Sequence, residues 1–328
     1  MNRFAPQILY TFVYMLCLGA PASAENNLPI TLAEPKKLAK SPLIGGVIFE
    51  FPVYSFYLGS PNINGRAYVP NVYPRIGLRL MYKRMGVRTT LALPLPGREI
   101  ERRGETTQSN TTLSFHWRQH AFDFYYQYFR GFYLGSPLVE IKENKPNRYT
   151  LLPNAVSRNW GFNWYYNVDP SRFSLNSAFD QTQFNAEAGN SWVLIPFYRH
   201  WTVNLGDTII KGSEADDPDT LPEFRAGIFD TLGASLAYAQ MWVFKKYYVS
   251  TLTGLGPGVQ FQKYELAQNN RERYSGALKL NFNLSLGQKR QTDALGVKFI
   301  LDSIYSRVSD TDVYSSFVAA EFFYNRQF

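Results

Sequence analysis

The sequence predicts an all-β protein, a transmembrane antiparallel up-and-down β-barrel of about 12 strands, with about 10 and 14 as the neighbouring solutions. Three observations lead there. Apolar and polar residues alternate with a period of two along most of the chain, so each run presents one apolar and one polar face. The runs are ~9–13 residues long, enough to cross a bilayer at a tilt, whereas soluble strands centre on ~5–6. An export signal opens the chain and an aromatic-ended alternating strand closes it. Composition agrees: 16% of residues are aromatic, with 23 Tyr and 25 Phe, yet the mean hydropathy is on the polar side. Large rings are therefore interleaved with polar groups rather than gathered into blocks.

The first element is an address. Arg3 gives a short positive region, Ile8 to Ala20 an apolar core of ~13 residues, and Ala22-Ser23-Ala24 a small-x-small cleavage signal. That core is too short for a membrane helix. Residues 1–24 read as a secretory signal peptide cleaved after Ala24. Cys17, the single cysteine, leaves with it, and Tyr14-Met15-Leu16-Cys17 lacks the small residue of a lipoprotein signal. A mature chain without cysteine excludes disulfides, thiolate catalysis and cysteine zinc sites. The formal charge of +8 includes Arg3. The remaining basic balance favours anionic partners, lipopolysaccharide phosphates above nucleic acid for an exported protein. Residues 25–45, with Lys36, Lys37 and Lys40, read as a periplasmic lead-in and 46–328 as the barrel.

Thirteen alternating runs follow, starting near 47, 72, 86, 108, 120, 156, 172, 190, 227, 247, 273, 294 and 313. Bacterial barrels normally have even strand numbers, so one of these thirteen assignments is wrong. Residues 184–225, where short turns and long loops fall out of step, are the weakest stretch. In the run near 72, Ile76, Leu78, Leu80 and Tyr82 oppose Arg75, Gly77, Arg79 and Lys83. Next, Val87 and Leu91 oppose Arg88, and Phe122, Phe124, Tyr126 and Tyr128 oppose Asp123 and Gln127. Ala226 to Phe244 resembles a membrane helix in length, but its small residues fall with period two. Leu232, Leu236, Tyr238 and Trp242 take one face and Gly233, Ser235, Ala237 and Ala239 the other, which reads as a strand. Leu278 to Leu286 alternates with Lys279, Asn281, Asn283 and Ser285, and Leu295 to Leu301 with Lys298 and Asp302.

Connectors alternate between short (Lys83-Arg84-Met85, Arg118-Gln119-His120, Lys245-Lys246) and long and charged (95–108, 138–155, 205–224). Short periplasmic turns and long outer loops are the outer-membrane pattern. The last strand, Val313 to Phe328, keeps Tyr314, Val318, Ala320, Phe322 and Tyr324 in register. Tyr324 and Phe328 resemble the terminal signal read by the barrel-assembly machinery of a Gram-negative envelope, although Arg326 stands where an apolar residue is usual. FYLGSP occurs twice, at Phe56–Pro61 and Phe132–Pro137. Each copy is expected to close a strand, with Phe-Tyr at the lipid interface and Gly-Ser-Pro turning the chain.

The stretch Tyr125-Tyr126-Gln127-Tyr128-Phe129-Arg130-Gly131-Phe132-Tyr133-Leu134 resembles a family of bacterial barrel proteins, domain-of-unknown-function family 4421, which carries a similar YYQxYxGFYL phrase. Pro70-Asn71, Gly77, Tyr82-Lys83 and Gly86 resemble its upstream spacing, and Arg172-Phe173-Ser174 and Ala188-Gly189-Asn190-Ser191 its strand starts. The resemblance spans most of the mature chain. It implies a membrane barrel and brings no catalytic residues.

Chemistry is sparse in the pattern. His116 shares a face with Ser114, Thr112 and Arg118, which makes Ser114 and His116 weak candidates for an outer-membrane lipid-modifying enzyme; an interior hydrogen-bonded histidine is the plainer reading. His120 lies at a turn, and His200, between Arg199 and Trp201, shows no clear face. No GxSxG, HExxH or histidine-rich spacing occurs, and neither a cofactor nor a metal is expected. Glu214, Asp216, Asp217, Asp219 and Glu223 form an acidic loop without the glycine of a calcium loop. Arg98, Arg102 and Arg103 form a basic counterpart.

The lumen offers most. Arg75, Arg79, Lys83, Arg88, Lys279 and Lys298 fall on the polar face with Asp123, Asp302 and Glu321. They read either as an ion-pair network plugging the barrel or as a basic-biased lumen passing small anionic or polar solutes. A porin-like channel, a lipid-modifying enzyme and a structural or surface-interaction barrel are the three functional readings.

Overall fold

In a computed structural model the strands close into a ring. The structure describes residues 43–58, 67–117, 119–135, 149–175, 188–206, 224–266, 270–290, 292–308 and 311–328. The expected signal peptide, nearly all of the lead-in and the acidic loop up to Glu223 lie outside these residues. The strands are β1 (Leu43–Leu58), β2 (Ala67–Val69), β3 (Arg75–Tyr82), β4 (Met85–Ala92), β5 (Thr107–Trp117), β6 (His120–Gly135) and β7 (Leu151–Asn167). They continue with β8 (Gly189–Asn204), β9 (Phe224–Phe244), β10 (Tyr247–Leu266), β11 (Asn270–Lys289), β12 (Asp293–Val308) and β13 (Thr311–Gln327). One helix, α1 (Gly97–Arg103), interrupts the β4–β5 connection. Pairing is antiparallel throughout, and β13 returns to β1 from Ile44↔Gln327 to Leu58↔Val313. The sheet is thereby closed on itself, the form in which a sheet spans lipid.

Two boundaries differ from expectation. β1 starts at Leu43, inside the stretch read as lead-in, because Leu43, Ile44 and Gly45 pair with Tyr82, Met81 and Leu80 of β3. The surplus run is the one near 172, not one within 184–225. Asp169 Oδ1 accepts from the Ser171 and Arg172 backbone N–H groups at 3.2 and 3.3 Å, and Asn167 Nδ2 donates to the Phe173 carbonyl at 2.6 Å. This turn swings Phe173 and Leu175 into the lumen, where both are buried. The described residues of that run, up to Leu175, form a turn that plugs the lumen and not a strand. The long β7–β8 connector falls at the end otherwise occupied by tight turns, which is why short and long connectors fall out of step in the sequence.

The faces are inverted relative to a soluble protein. Leu78, Leu232 and Val259 are 64%, 63% and 58% exposed on the outer face, while Glu50 and Glu321 are 0% exposed inside. Water would not tolerate that arrangement; a hydrocarbon surround favours it. Among the described residues no helix is long and apolar enough to cross a membrane, so the strands cross it, β9 among them.

Between β1 and β6 the wall changes composition. β3 pairs with β1 only up to Glu50↔Arg75, and β5 pairs with β6 only up to Thr107↔Arg130. Beyond those points β2 bridges the two long strands, through Phe56↔Tyr68 and Tyr68↔Leu134. The ring has twelve strands near the tight turns; at the loop end β2 replaces β3, β4 and β5, leaving ten. Gly131, with φ +89, makes the bulge at which β6 exchanges β5 for β2, and a Cβ there would run into the Glu105 carbonyl. Asn71, just past β2, donates through Nδ2 to the Gly104 carbonyl at 2.8 Å and through its backbone N–H to Thr106 Oγ1, also at 2.8 Å.

The repeated FYLGSP takes its meaning from this step. Its two copies are the strand ends on either side of β2. Phe56 and Phe132 do not face lipid as expected: both are buried in the lumen, edge to face at 5.4 Å. Tyr133 packs with Tyr149, Ala67 and Val69 on the other face of the β2 wall.

Candidate functional site: a charged chamber inside the barrel

The lumen is layered. At the loop end a cluster of aromatic and aliphatic side chains crosses it: Tyr54 stacks on Phe129 at 4.4 Å and Trp201 on Phe229 at 4.7 Å. Ser157 stitches this layer, accepting from Trp201 Nε1 at 2.9 Å and pairing with the Tyr54 hydroxyl at 2.9 Å. At the turn end, Phe173 and Leu175 join Val193, Ile195, Met241 and Phe323 in a second apolar layer. Charged and amide side chains fill the space between.

Strand register builds the charged layer. Lys298, Glu321, Glu50 and Arg75 lie side by side on β12, β13, β1 and β3, and Arg79 lies opposite Arg88 on β3 and β4. Two carboxylates directly opposite each other would repel. Arg88 resolves this by bridging them, its Nη2 2.8 Å from Glu50 Oε1 and 2.7 Å from Glu321 Oε2. Arg75 Nε stands 3.2 Å from Glu50 Oε2 and Arg79 Nη2 3.5 Å from Glu321 Oε1. Across the lumen, Lys279 Nζ reaches Asp302 Oδ2 at 3.1 Å and Asn163 Oδ1 at 2.6 Å, above the Phe197 ring at 4.5 Å. Arg199 donates from Nε to Asn159 Oδ1 at 2.8 Å and from Nη2 to the Ser315 hydroxyl at 2.6 Å.

Between these groups is a cavity of about 160 Å³, lined by Glu50, Arg88, Asp123, Arg199, Lys298 and Asp302, by amides including Asn110, Asn159 and Asn163, and by Tyr125 and His116. Arg75, Arg79, Lys279 and Glu321 are buried around it. Lys83 does not belong to this set; it forms the exposed β3–β4 turn with φ 57. His116 is buried and lines the cavity. Ser114 Oγ donates directly to Asp123 Oδ1 at 2.6 Å, so the acid holds the hydroxyl itself. In a nucleophilic relay the acid would orient the imidazole instead. Arg118 lies outside the described residues. Of the basic trio, Arg103 pairs with Glu99 at 3.3 Å within α1, and Arg102 and Arg103 lie over the Tyr149 ring. No cluster of metal-ligating side chains occurs among the described residues.

Sequence reasoning missed Glu50 and Arg199. Glu50 shares its face with Ile48, Pro52 and Tyr54, so β1 shows no polar side; one carboxylate inside an apolar strand was the available signal. Arg199 stands in Tyr198-Arg199-His200-Trp201, where large polar side chains on both faces mask the period.

Comparison with known proteins adds a family and distant likenesses. The family described as a domain of unknown function (DUF4421) matches residues 55–325. No curated protein matches the sequence. The outer membrane protease OmpT of Escherichia coli is 8% identical over 90% of this chain and 99% of that chain, with a TM-score of 0.37. The toluene transporter TodX of Pseudomonas putida is 8% identical over 88% of this chain and 90% of that one, with a TM-score of 0.26. The attachment invasion locus protein Ail of Yersinia pestis is 13% identical over 62% of this chain and 97% of that one, with a TM-score of 0.25. Likenesses this distant lend the chain none of those proteins' chemistry.

Proposed function

The chain belongs to the DUF4421 family, and on that premise we propose that it is an outer-membrane, porin-like barrel that admits small anionic or polar solutes to its central chamber. The observation that carries this reading is the chamber's charge and size. Three bases (Arg88, Arg199, Lys298) and three acids (Glu50, Asp123, Asp302) line it, and Arg75, Arg79, Lys279 and Glu321 are buried in the charged layer around them, which gives that layer six bases to four acids. A cavity of about 160 Å³ is close to the ~150 Å³ engineered void that takes benzene. That scale suits a solute of roughly half a dozen heavy atoms. The excess of cations favours an anion, and the amides supply orienting hydrogen bonds. The two apolar layers act as gates, since apolar constrictions close a pore by dewetting. The tight turns face the periplasm and the longer loops the exterior, the orientation usual for such barrels.

Heat-modifiable gel mobility of refolded mature protein first establishes the closed barrel. Planar-bilayer recording then tests the channel. Small stepwise anion-selective conductances are expected from the wild type, larger ones from Phe129→Ala, and weakened anion preference from Lys279→Glu or Arg79→Glu. Silence from both wild type and Phe129→Ala at every voltage would sink the proposal.

That silence is what the second reading, a structural or surface-interaction barrel, predicts. The dense ion pairing of the lumen favours it, and its phenotypes would map to the 95–108 and 138–155 loops. A lipid-modifying activity based on Ser114 and His116 gains nothing from the geometry, because both point away from lipid.

A further inference from the structure

On the outer face of β7, β8 and β9 a small polar group stands where hydrocarbon-facing residues are expected. Strand alternation puts Arg199 and Trp201 inside at 4% and 3% exposure, and therefore Tyr198 and His200 outside. On β9, buried Phe229 and Thr231 likewise turn Asp230 outward. His200 Nδ1 lies 2.7 Å from Asp230 Oδ1, and the Tyr198 hydroxyl donates to the same oxygen at 2.6 Å. His200 and Asp230 remain 24% and 28% exposed. The imidazole packs against Trp160, ring centroids 5.2 Å apart. Cross-strand register places Trp160, His200, Asp230 and Phe261 in one row.

The row marks a boundary. One step toward the turns, Leu232 and Val259 are 63% and 58% exposed, which belongs to the acyl-chain region. One step toward the loops come exposed Arg158, its guanidinium 5.8 Å from the Tyr128 ring, and the exposed Lys263–Glu272 pair. An ionisable pair deep in hydrocarbon is costly, whereas at headgroup depth it meets water and lipid phosphates. Aromatic rings flank the row on both sides, as in the interfacial girdle of membrane barrels.

We propose that His200, oriented by Asp230 and Tyr198, forms with Arg158 a binding site for the phosphate of a lipid headgroup in the leaflet at the loop end. With Nδ1 committed to the carboxylate, Nε2 is the nitrogen available to a ligand. Asp230 and Tyr198 fix the ring's orientation, and in the doubly protonated ring Nε2–H donates to a phosphate oxygen. Arg158 supplies the second cation, and Trp160, Tyr126 and Leu232 lie along the glycerol and acyl portions. The site is independent of what passes through the lumen.

Native mass spectrometry of the refolded mature barrel tests it, with phosphatidic acid and phosphatidylcholine as alternative lipids. Retained phosphatidic acid is expected to exceed phosphatidylcholine. It should fall at least about tenfold in His200→Gln and in Arg158→Gln, the size of a lost charge-assisted hydrogen bond. Gel mobility confirms that each variant is folded, and Arg158→Lys should restore part of the retention. Equal retention of both lipids, or no change in either variant, overturns the proposal. Inorganic phosphate added in excess separates the sources: undiminished lipid retention supports a headgroup site, and full displacement overturns it in favour of soluble phosphate.

Discussion

The aromatic layer and the charged layer fill the same lumen by opposite means. Around Tyr54, Phe129, Trp201 and Phe229 the filling is set by volume and ring stacking, with Ser157 as its polar stitch. Around Glu50, Arg88 and Glu321 it is set by register: Glu50 stands opposite Glu321, and Arg88 reaches both carboxylates from β4, across β3 to β1 and β13. A ring can be exchanged for another of similar size at modest cost. A buried charge lacks that freedom, since removing one partner strands the others. The aromatic layer is therefore suited to yield, and the charged layer to hold the strands in place.

The largest expected effect comes from breaking the charged layer. Glu321→Gln leaves Arg79 and Arg88 with one carboxylate between them and should cost about 3–5 kcal/mol, read as a lower urea midpoint by gel shift. Phe129→Ala should cost about 3 kcal/mol by emptying part of a packed layer, and in that variant the lost stability accompanies the conductance gain described above. If Phe129→Ala proves the more destabilising, the ranking of the two layers is wrong.

A double-mutant cycle sharpens the contrast. Glu321→Gln with Arg79→Gln should show coupling of roughly 0.5–3 kcal/mol, whereas Glu321→Gln with Phe129→Ala should be additive within about 0.5 kcal/mol. The smallest effect belongs to Ser157→Ala, which removes the hydroxyl bonded to Tyr54 and Trp201 and should cost about 1 kcal/mol in the same urea assay.

Much of this architecture was legible because lipid on one side and packed charge on the other enforce the two-residue period. Ile76 to Tyr82, Leu278 to Leu286 and the helix-like Ala226 to Phe244 all present the faces their alternation predicts. Legibility failed where a segment alternates for another reason. The Arg172–Leu175 turn inserts two apolar side chains into the lumen, and β2 is only three residues long, too short to carry a period. The charged layer was legible in part: a lysine among leucines announces itself, but Glu50 sits among apolar neighbours that also face inward. The outward dyad of His200 and Asp230 left no trace in either segment, since it depends on register between two strands.

The splice at β2 has a consequence for assembly. Its two neighbours are the ends of β1 and β6, with β3, β4 and β5 intervening in the chain. Its slot does not exist until those strands have formed and β6 has returned alongside β1. A barrel built hairpin by hairpin therefore passes through a stage with its loop-end wall unsealed there, and late, non-local pairing of this kind is slow. Asn71, Thr106 and Gly131, which fasten β2 to the β4–β5 connection and to the β6 bulge, thus serve as the clasp that ends folding.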